Sequence, residues 1–126
     1  MSDNVFGDVI YAYTRQNAID DGTFVDVTKT AKEAGVKWEV AVTRNLYDTY
    51  IDPENMPVGQ DKDGRLWDLL WMLTCCLKGT IGKCDGNMAT YPVIFGNKTV
   101  EVWAVVEAQS PTDPTPAINI MLPEDY

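Results

Sequence analysis

Residues 65–78, Arg65-Leu66-Trp67-Asp68-Leu69-Leu70-Trp71-Met72-Leu73-Thr74-Cys75-Cys76-Leu77-Lys78, decide how this chain is read. Leu66, Leu69, Leu70, Leu73 and Leu77 recur at i, i+3, i+4, i+7 and i+11, the spacing that lays one apolar stripe along a helix. Trp67, Trp71 and Cys75 widen the stripe on a neighbouring flank, so the spacing predicts a central helix buried nearly all round. Asp63-Gly64 just upstream is also a hairpin signal, which leaves an extended Arg65–Leu70 as the alternative.

Downstream of this segment the pattern changes. Gly79–Met88 holds three glycines and little periodicity and reads as a loop. Strands follow at Thr90–Phe95, at Thr99–Ala108 after a Gly96-Asn97 turn, and at Ala117–Leu122 after a Pro-rich link. Upstream, Thr14 offers an N-cap for a helix running through Asp20 and ended by Gly22, after a short apolar stretch at Ile10–Tyr13. Phe24–Val27 reads as a short strand or extended link. Thr28 is placed to cap a helix over Lys29–Ala34, with Gly35 ending it. Val42, Leu46, Tyr47, Tyr50 and Ile51 fall at helical spacing and predict a third helix over Val40–Ile51. Asp52–Gly64, with two prolines, two glycines and four acids, reads as an exposed acidic loop of the kind that carries function. Helices followed by a meander predict a single α+β domain over residues 1–126. Its N-terminal helices pack on one face of a C-terminal antiparallel sheet of three or more strands.

Composition bounds the chemistry. The chain has 126 residues, 45% of them hydrophobic, and carries 19 acidic against 10 basic side chains, for a net charge of −9. Direct binding to a phosphate backbone is disfavoured, because counterion release needs clustered Lys and Arg. The acids form a coat rather than a tail: residues 65–90 hold two acids and three bases, and residues 91–126 five and one. No apolar run approaches the roughly 18 residues that span a bilayer, and the N-terminus lacks a basic-then-apolar leader. A cytoplasmic protein is expected, in the host cytoplasm if phage-encoded. Cys75, Cys76 and Cys84 are an odd count with two adjacent, a poor disulfide framework, and read as reduced thiols.

The absence of histidine removes the commonest general base and metal ligand. Gln60-Asp61-Lys62-Asp63-Gly64 resembles a fragment of a calcium loop, but with Gly64 as the turn glycine the first ligand falls on Gly59 and the closing acid on Leu70, and both fail. Gly79, Gly82 and Gly86 form no phosphate-cradling loop. Paired carboxylates such as Asp20-Asp21 and Glu124-Asp125 sit where solvation is easy. No metal, no cofactor and no catalytic residue is expected. The remaining candidates are groups that bind a partner: the aromatics Tyr11, Tyr13 and Trp38, and the acids Asp48, Asp52, Glu54, Asp61 and Asp63. Trp67, Trp71 and Trp103 are assigned to the core ahead of any interface role.

The runs Val9-Ile10-Tyr11-Ala12-Tyr13-Thr14-Arg15, Ala18-Ile19 with Asp21-Gly22, and Val25-Asp26-Val27 resemble a family of small proteins of unknown function from bacterial genomes, plasmids and phages. So do Val40-Ala41-Val42-Thr43-Arg44, Asp63-Gly64-Arg65-Leu66-Trp67-Asp68 with Leu70-Trp71-Met72, and Ile118-Asn119-Ile120-Met121-Leu122-Pro123-Glu124. The resemblance covers nearly the whole chain and implies a prokaryotic or phage setting, but no activity. Together these readings favour a non-catalytic, monomeric or homodimeric protein that binds a protein partner with a basic surface. The narrower version is a mobile-element inhibitor of a host nuclease or nucleic-acid-directed defence complex. Two alternatives stand beside it. One is a small enzyme or ligand-binding domain using Tyr, Arg and carboxylate groups, in which Tyr13, Arg15, Arg44 and Arg65 would share a cleft. The other is a housekeeping accessory subunit.

Overall fold

A computed structural model describes residues 14–126. The apolar stretch at Ile10–Tyr13, and with it the candidates Tyr11 and Tyr13, lies outside the described residues. Thr14 caps α1 (Arg15–Asp20) through a reciprocal box: its hydroxyl accepts from the Asn17 amide at 3.2 Å while Asn17 Oδ1 accepts from the Thr14 amide at 2.9 Å. β1 (Phe24–Asp26) follows, then α2 (Thr28–Glu33). Thr28 is the first residue of α2 and not its cap. Asp26 supplies the side-chain acceptor instead, its Oδ1 taking the Thr28 amide at 3.0 Å and hydroxyl at 2.6 Å.

The helix expected over Val40–Ile51 is two elements. β2 (Glu39–Thr43) is a strand, and α3 (Arg44–Leu46) runs into a π-helical turn at Tyr47–Ile51. Thr43 marks the change: its hydroxyl accepts from the Leu46 amide at 3.2 Å, capping a helix that starts one residue later. Val40, Ala41 and Val42 are wholly buried, so they show no alternation of polar and apolar residues that would have announced a strand.

α4 (Lys62–Leu77) is the predicted central helix, extended by a turn at its start. Asp61 caps it by accepting from the Gly64 amide at 2.7 Å, so the hairpin alternative at Asp63-Gly64 is not realised. Part of the expected loop after it forms a short strand, β3 (Lys83–Asp85), which turns back into β4 (Met88–Phe95). β5 (Lys98–Ser110) and β6 (Asp113–Met121) complete one six-stranded sheet in the order β1-β2-β6-β5-β4-β3. The fold is α+β. Its sheet is mixed and not a pure antiparallel meander, because β2 pairs parallel with β6, from Glu39 opposite Ala117 to Val42 opposite Ile120. A parallel pair needs a long crossover, here everything from α3 to β5.

One face of the sheet carries the main core. Val40, Val42, Tyr91, Val93, Val102, Ile118 and Ile120 meet Leu46, Ile51, Leu69, Leu70 and Leu73 there, and Ala31 and Ala34 bring α2 onto the same side. Tyr91, fully buried, donates its hydroxyl to the Leu69 carbonyl at 3.2 Å, a polar tie between sheet and helix. Strand alternation points Asn119 to the opposite face, and Arg15 of α1 reaches it there, Nε to Oδ1 at 2.8 Å. α1 is thus set apart from α2 and α4 on the other side of the sheet. Beyond β3 the β4 edge is blunted by Pro92, which has no amide to offer an incoming strand.

Leu73 is fully buried under α4, whereas Leu77 is half exposed at its end. Leu73→Ala should therefore lower unfolding free energy by about 2–5 kcal/mol, and Leu77→Ala by less than about 1 kcal/mol, read from urea midpoints at unchanged slope.

Candidate functional site

The outer side of α4 is the feature that the sequence reading misplaced. Trp67 and Trp71 are not core: they are 39% and 45% exposed, with ring planes 4° apart and centroids 6.4 Å apart. The helix buries Arg65, Leu69, Leu70, Leu73 and Cys76 and turns Trp67, Asp68 and Trp71 to solvent, so it is half buried and not buried all round. The signal was present in the sequence. Trp67, Trp71, Cys75 and Lys78 recur at i, i+4, i+8 and i+11, a second stripe that ends in a charge and is flanked by Asp68.

Two open clefts meet at Trp67. One, about 510 Å³, is lined by Gln60, Asp61, Arg65, Asp68 and Ile94 besides the indole. The other, about 610 Å³, runs between α2 and the start of α4, past Lys29, Glu33, Asp61 and Asp63. The acids here are held by the helix start: Asp61 through its cap, and Asp63 in the first turn, where the positive end of the helix dipole favours a carboxylate. Over residues 52–68 five carboxylates stand against two cations, Lys62 and Arg65. Arg65 is buried.

Arg65 explains why this surface has a defined shape. Its guanidinium donates to Gln60 Oε1 from Nε at 3.0 Å and Nη2 at 2.6 Å, and to the Tyr50 carbonyl from Nη1 at 2.8 Å. The cation also lies 5.9 Å from the Phe95 ring centroid, Phe95 stacks on Tyr50 at 5.4 Å, and Lys98 sits 5.5 Å over the Tyr50 ring. One side chain thus ties the π turn, the end of the acidic loop and the β4–β5 hairpin to the first turns of α4. Gly96 approaches so closely that a Cβ there would stand 3.2 Å from Arg65 Nη2.

Of the expected partner-binding residues, Asp61 and Asp63 lie beside Trp67. Asp52 and Glu54 are exposed in the loop that leads to α4. Asp48 is exposed at the π turn and pairs with Arg44 at 3.5 Å. Trp38 is exposed, ahead of β2, and is not one of the stacked indoles. Trp103 is half-buried, its ring edge-on to Tyr126 at 5.4 Å and its Nε1 donating to Glu101 at 2.8 Å. The arginines that a catalytic reading would gather do not converge. Arg65 faces Tyr50 and Gln60, and Arg44 donates to the Gly22 carbonyl at 3.0 Å. Arg15 reaches Asn119 and Glu39 on the far face, where burial pulls its pKa down and the Glu39, Asp26 and Glu107 carboxylates push it up. Arg15 Nη2 and Gln109 Nε2 are buried without a hydrogen-bond partner among the described residues. No group of three or more Cys, Asp or Glu among the described residues is placed to hold a metal ion, and no helix among them is long and apolar enough to cross a membrane.

The architecture is that of an α+β domain with a mixed six-stranded sheet and an exposed aromatic pair on its longest helix. The chain belongs to a family of unknown function (DUF6573), whose model matches residues 3–126. No curated protein and no solved structure matches it.

The geometry separates a structural residue from its exposed neighbours. Arg65→Met should cost about 2–4 kcal/mol, through loss of charge-assisted bonds to Gln60 and Tyr50, and should speed proteolytic cleavage within residues 52–62. Trp67→Ala and Trp71→Ala should each cost less than about 1.5 kcal/mol, since each indole is only partly buried. Thermal melts check the stabilities, and limited digestion with a glutamate-specific protease, which can cut after Glu54, checks the cleavage.

Proposed function

We propose that this protein acts as a non-catalytic binding protein, and that the Trp67–Trp71 face with its flanking carboxylates docks on a basic, arginine-rich surface of a protein partner. The observation that carries the reading is the exposed parallel indole pair set among Asp61, Asp63 and Asp68. Two large aromatics held on a rigid helix give up little conformational freedom on binding, the character of interface hot spots. A ring of acids draws in cations, and an arginine side chain engages both features, stacking on indole faces while donating to carboxylates. Charge complementarity favours a protein partner over nucleic acid, because a chain of net charge −9 repels phosphates. A partner that itself holds nucleic acid in a basic groove offers the matching surface. The narrower version, inhibition of a nuclease or defence complex by a mobile-element protein, is favoured by the resemblance of the sequence to chains from plasmids and phages.

An arginine-rich peptide is the simplest probe. Titrated against the wild-type chain it should quench tryptophan fluorescence, and its affinity should fall at least tenfold between about 50 and 300 mM salt, as screening shortens the Debye length. The double variant Trp67→Ala/Trp71→Ala, if it melts within a few degrees of wild type, should bind at least tenfold more weakly. Equal binding by the double variant, or affinity indifferent to salt, would count against this face as the docking surface.

A further inference from the structure

We infer that Cys76 and Cys84 form a thiol pair built to close into a disulfide by exchange with a low-molecular-weight disulfide. This site is independent of the docking surface. Cys76 lies in the last turns of α4 and is buried, Cys84 lies at the centre of β3 and is exposed, and their sulfurs are 4.0 Å apart in an S–H···S contact. Cys84 Sγ also lies 3.8 Å from the Cys76 carbonyl oxygen, which keeps it against the helix end. Closing the bond requires the sulfurs to approach to about 2.05 Å, a movement within reach of side-chain rotation and a small shift of β3.

The connecting turn is shaped for this approach. Gly82 has φ +73°, and a Cβ there would stand 2.3 Å from the Thr90 carbonyl oxygen and 3.1 Å from Cys76 Sγ. Only glycine lets the chain pass this close beside the thiol. Thr80 closes the other side of the turn on the helix end, its amide and hydroxyl donating to the Cys75 carbonyl at 3.0 and 2.9 Å. Cys75 itself belongs to the solvent-facing stripe of α4, about a 100° rotation from Cys76, and is not the sulfur that Cys84 meets.

The two thiols differ in a way that sets the order of events. Burial, with the Cys84 contact second, pushes the Cys76 thiol up to about 11, so it stays protonated at neutral pH, while Cys84 is open to solvent. Cys84 as thiolate attacks one sulfur of the small disulfide; a mixed disulfide forms and one small thiolate leaves. Cys76 then attacks Cys84 Sγ. The Cys76–Cys84 bond forms, the mixed disulfide breaks, and the proton from Cys76 goes to the second departing thiolate. Two protein thiols are oxidised and one small disulfide is reduced to two thiols. The product staples β3 to the end of α4.

Incubation of the folded protein with oxidised glutathione, followed by alkylation, trypsin and mass spectrometry, tests the pair. The expected product joins the peptide 66–78 to the peptide 84–98, persists in C75S, is lost in C76S, and melts several degrees higher than the reduced protein. A stable glutathione adduct on Cys84 with Cys76 still open to alkylation on unfolding would overturn the inference. So would a crosslink that disappears in C75S.

Discussion

Arg65 is carried into the interior by the first turns of α4, and the partners it finds there are neutral: the Gln60 amide oxygen, the Tyr50 carbonyl and the face of Phe95. A guanidinium tolerates such a site because its planar fork spreads charge over several donors and is weakly hydrated, which an ammonium could not match. The consequence runs through the structure. Arg65 holds the start of α4 in the orientation its leucine face also requires, with Leu69, Leu70 and Leu73 in the core and Trp67 and Trp71 outward. Near the far end, Thr74 donates to the Ala34 carbonyl at 2.9 Å and pins α2 to the same helix. Breaking a buried charge from its acceptors costs more than making the bonds contributed, so this cation fixes geometry more than it adds stability.

How much of this was legible in the sequence depends on how each signal is generated. The leucine stripe gave α4 because burial on one side of a helix leaves a 3.6-residue period, and Thr14 gave α1 because its cap is local chemistry. Val40–Thr43 was not legible as a strand. Its residues are buried on both faces and run directly into the helical positions of Leu46 and Tyr47, so the two periods merge. The parallel pairing of β2 with β6 depends on residues about 80 apart, and no local pattern encodes it. Among site residues, Asp61 and Asp63 were legible as exposed acids of the stretch before α4, but the helix starts earlier than the leucine stripe announces, so Asp61 is its cap and Asp63 lies in its first turn. Trp67 and Trp71 were misplaced because tryptophan is more often buried than not, and only their shared stripe with Lys78 argued otherwise.

The acidic coat and the aromatic pair have different physical roles in the proposed binding. Carboxylates spread over the whole chain act at long range, accelerating encounter with a cationic surface and losing effect as salt rises. The indoles act at contact, where area and shape decide residence time. The thiol pair lies at the opposite end of α4 from Asp61 and Asp63, so closing it leaves the helix start untouched. The same helix therefore carries two exposed chemistries on one buried scaffold.

Hydrogen–deuterium exchange of the wild-type chain with and without an arginine-rich peptide tests the central claim most directly, because it reports where along the chain the basic probe rests. The account predicts protection concentrated in residues 59–72, spanning the end of the acidic loop and the first half of α4. Protection confined to residues 91–126, where five acids face one base, or spread evenly along the chain, would contradict it.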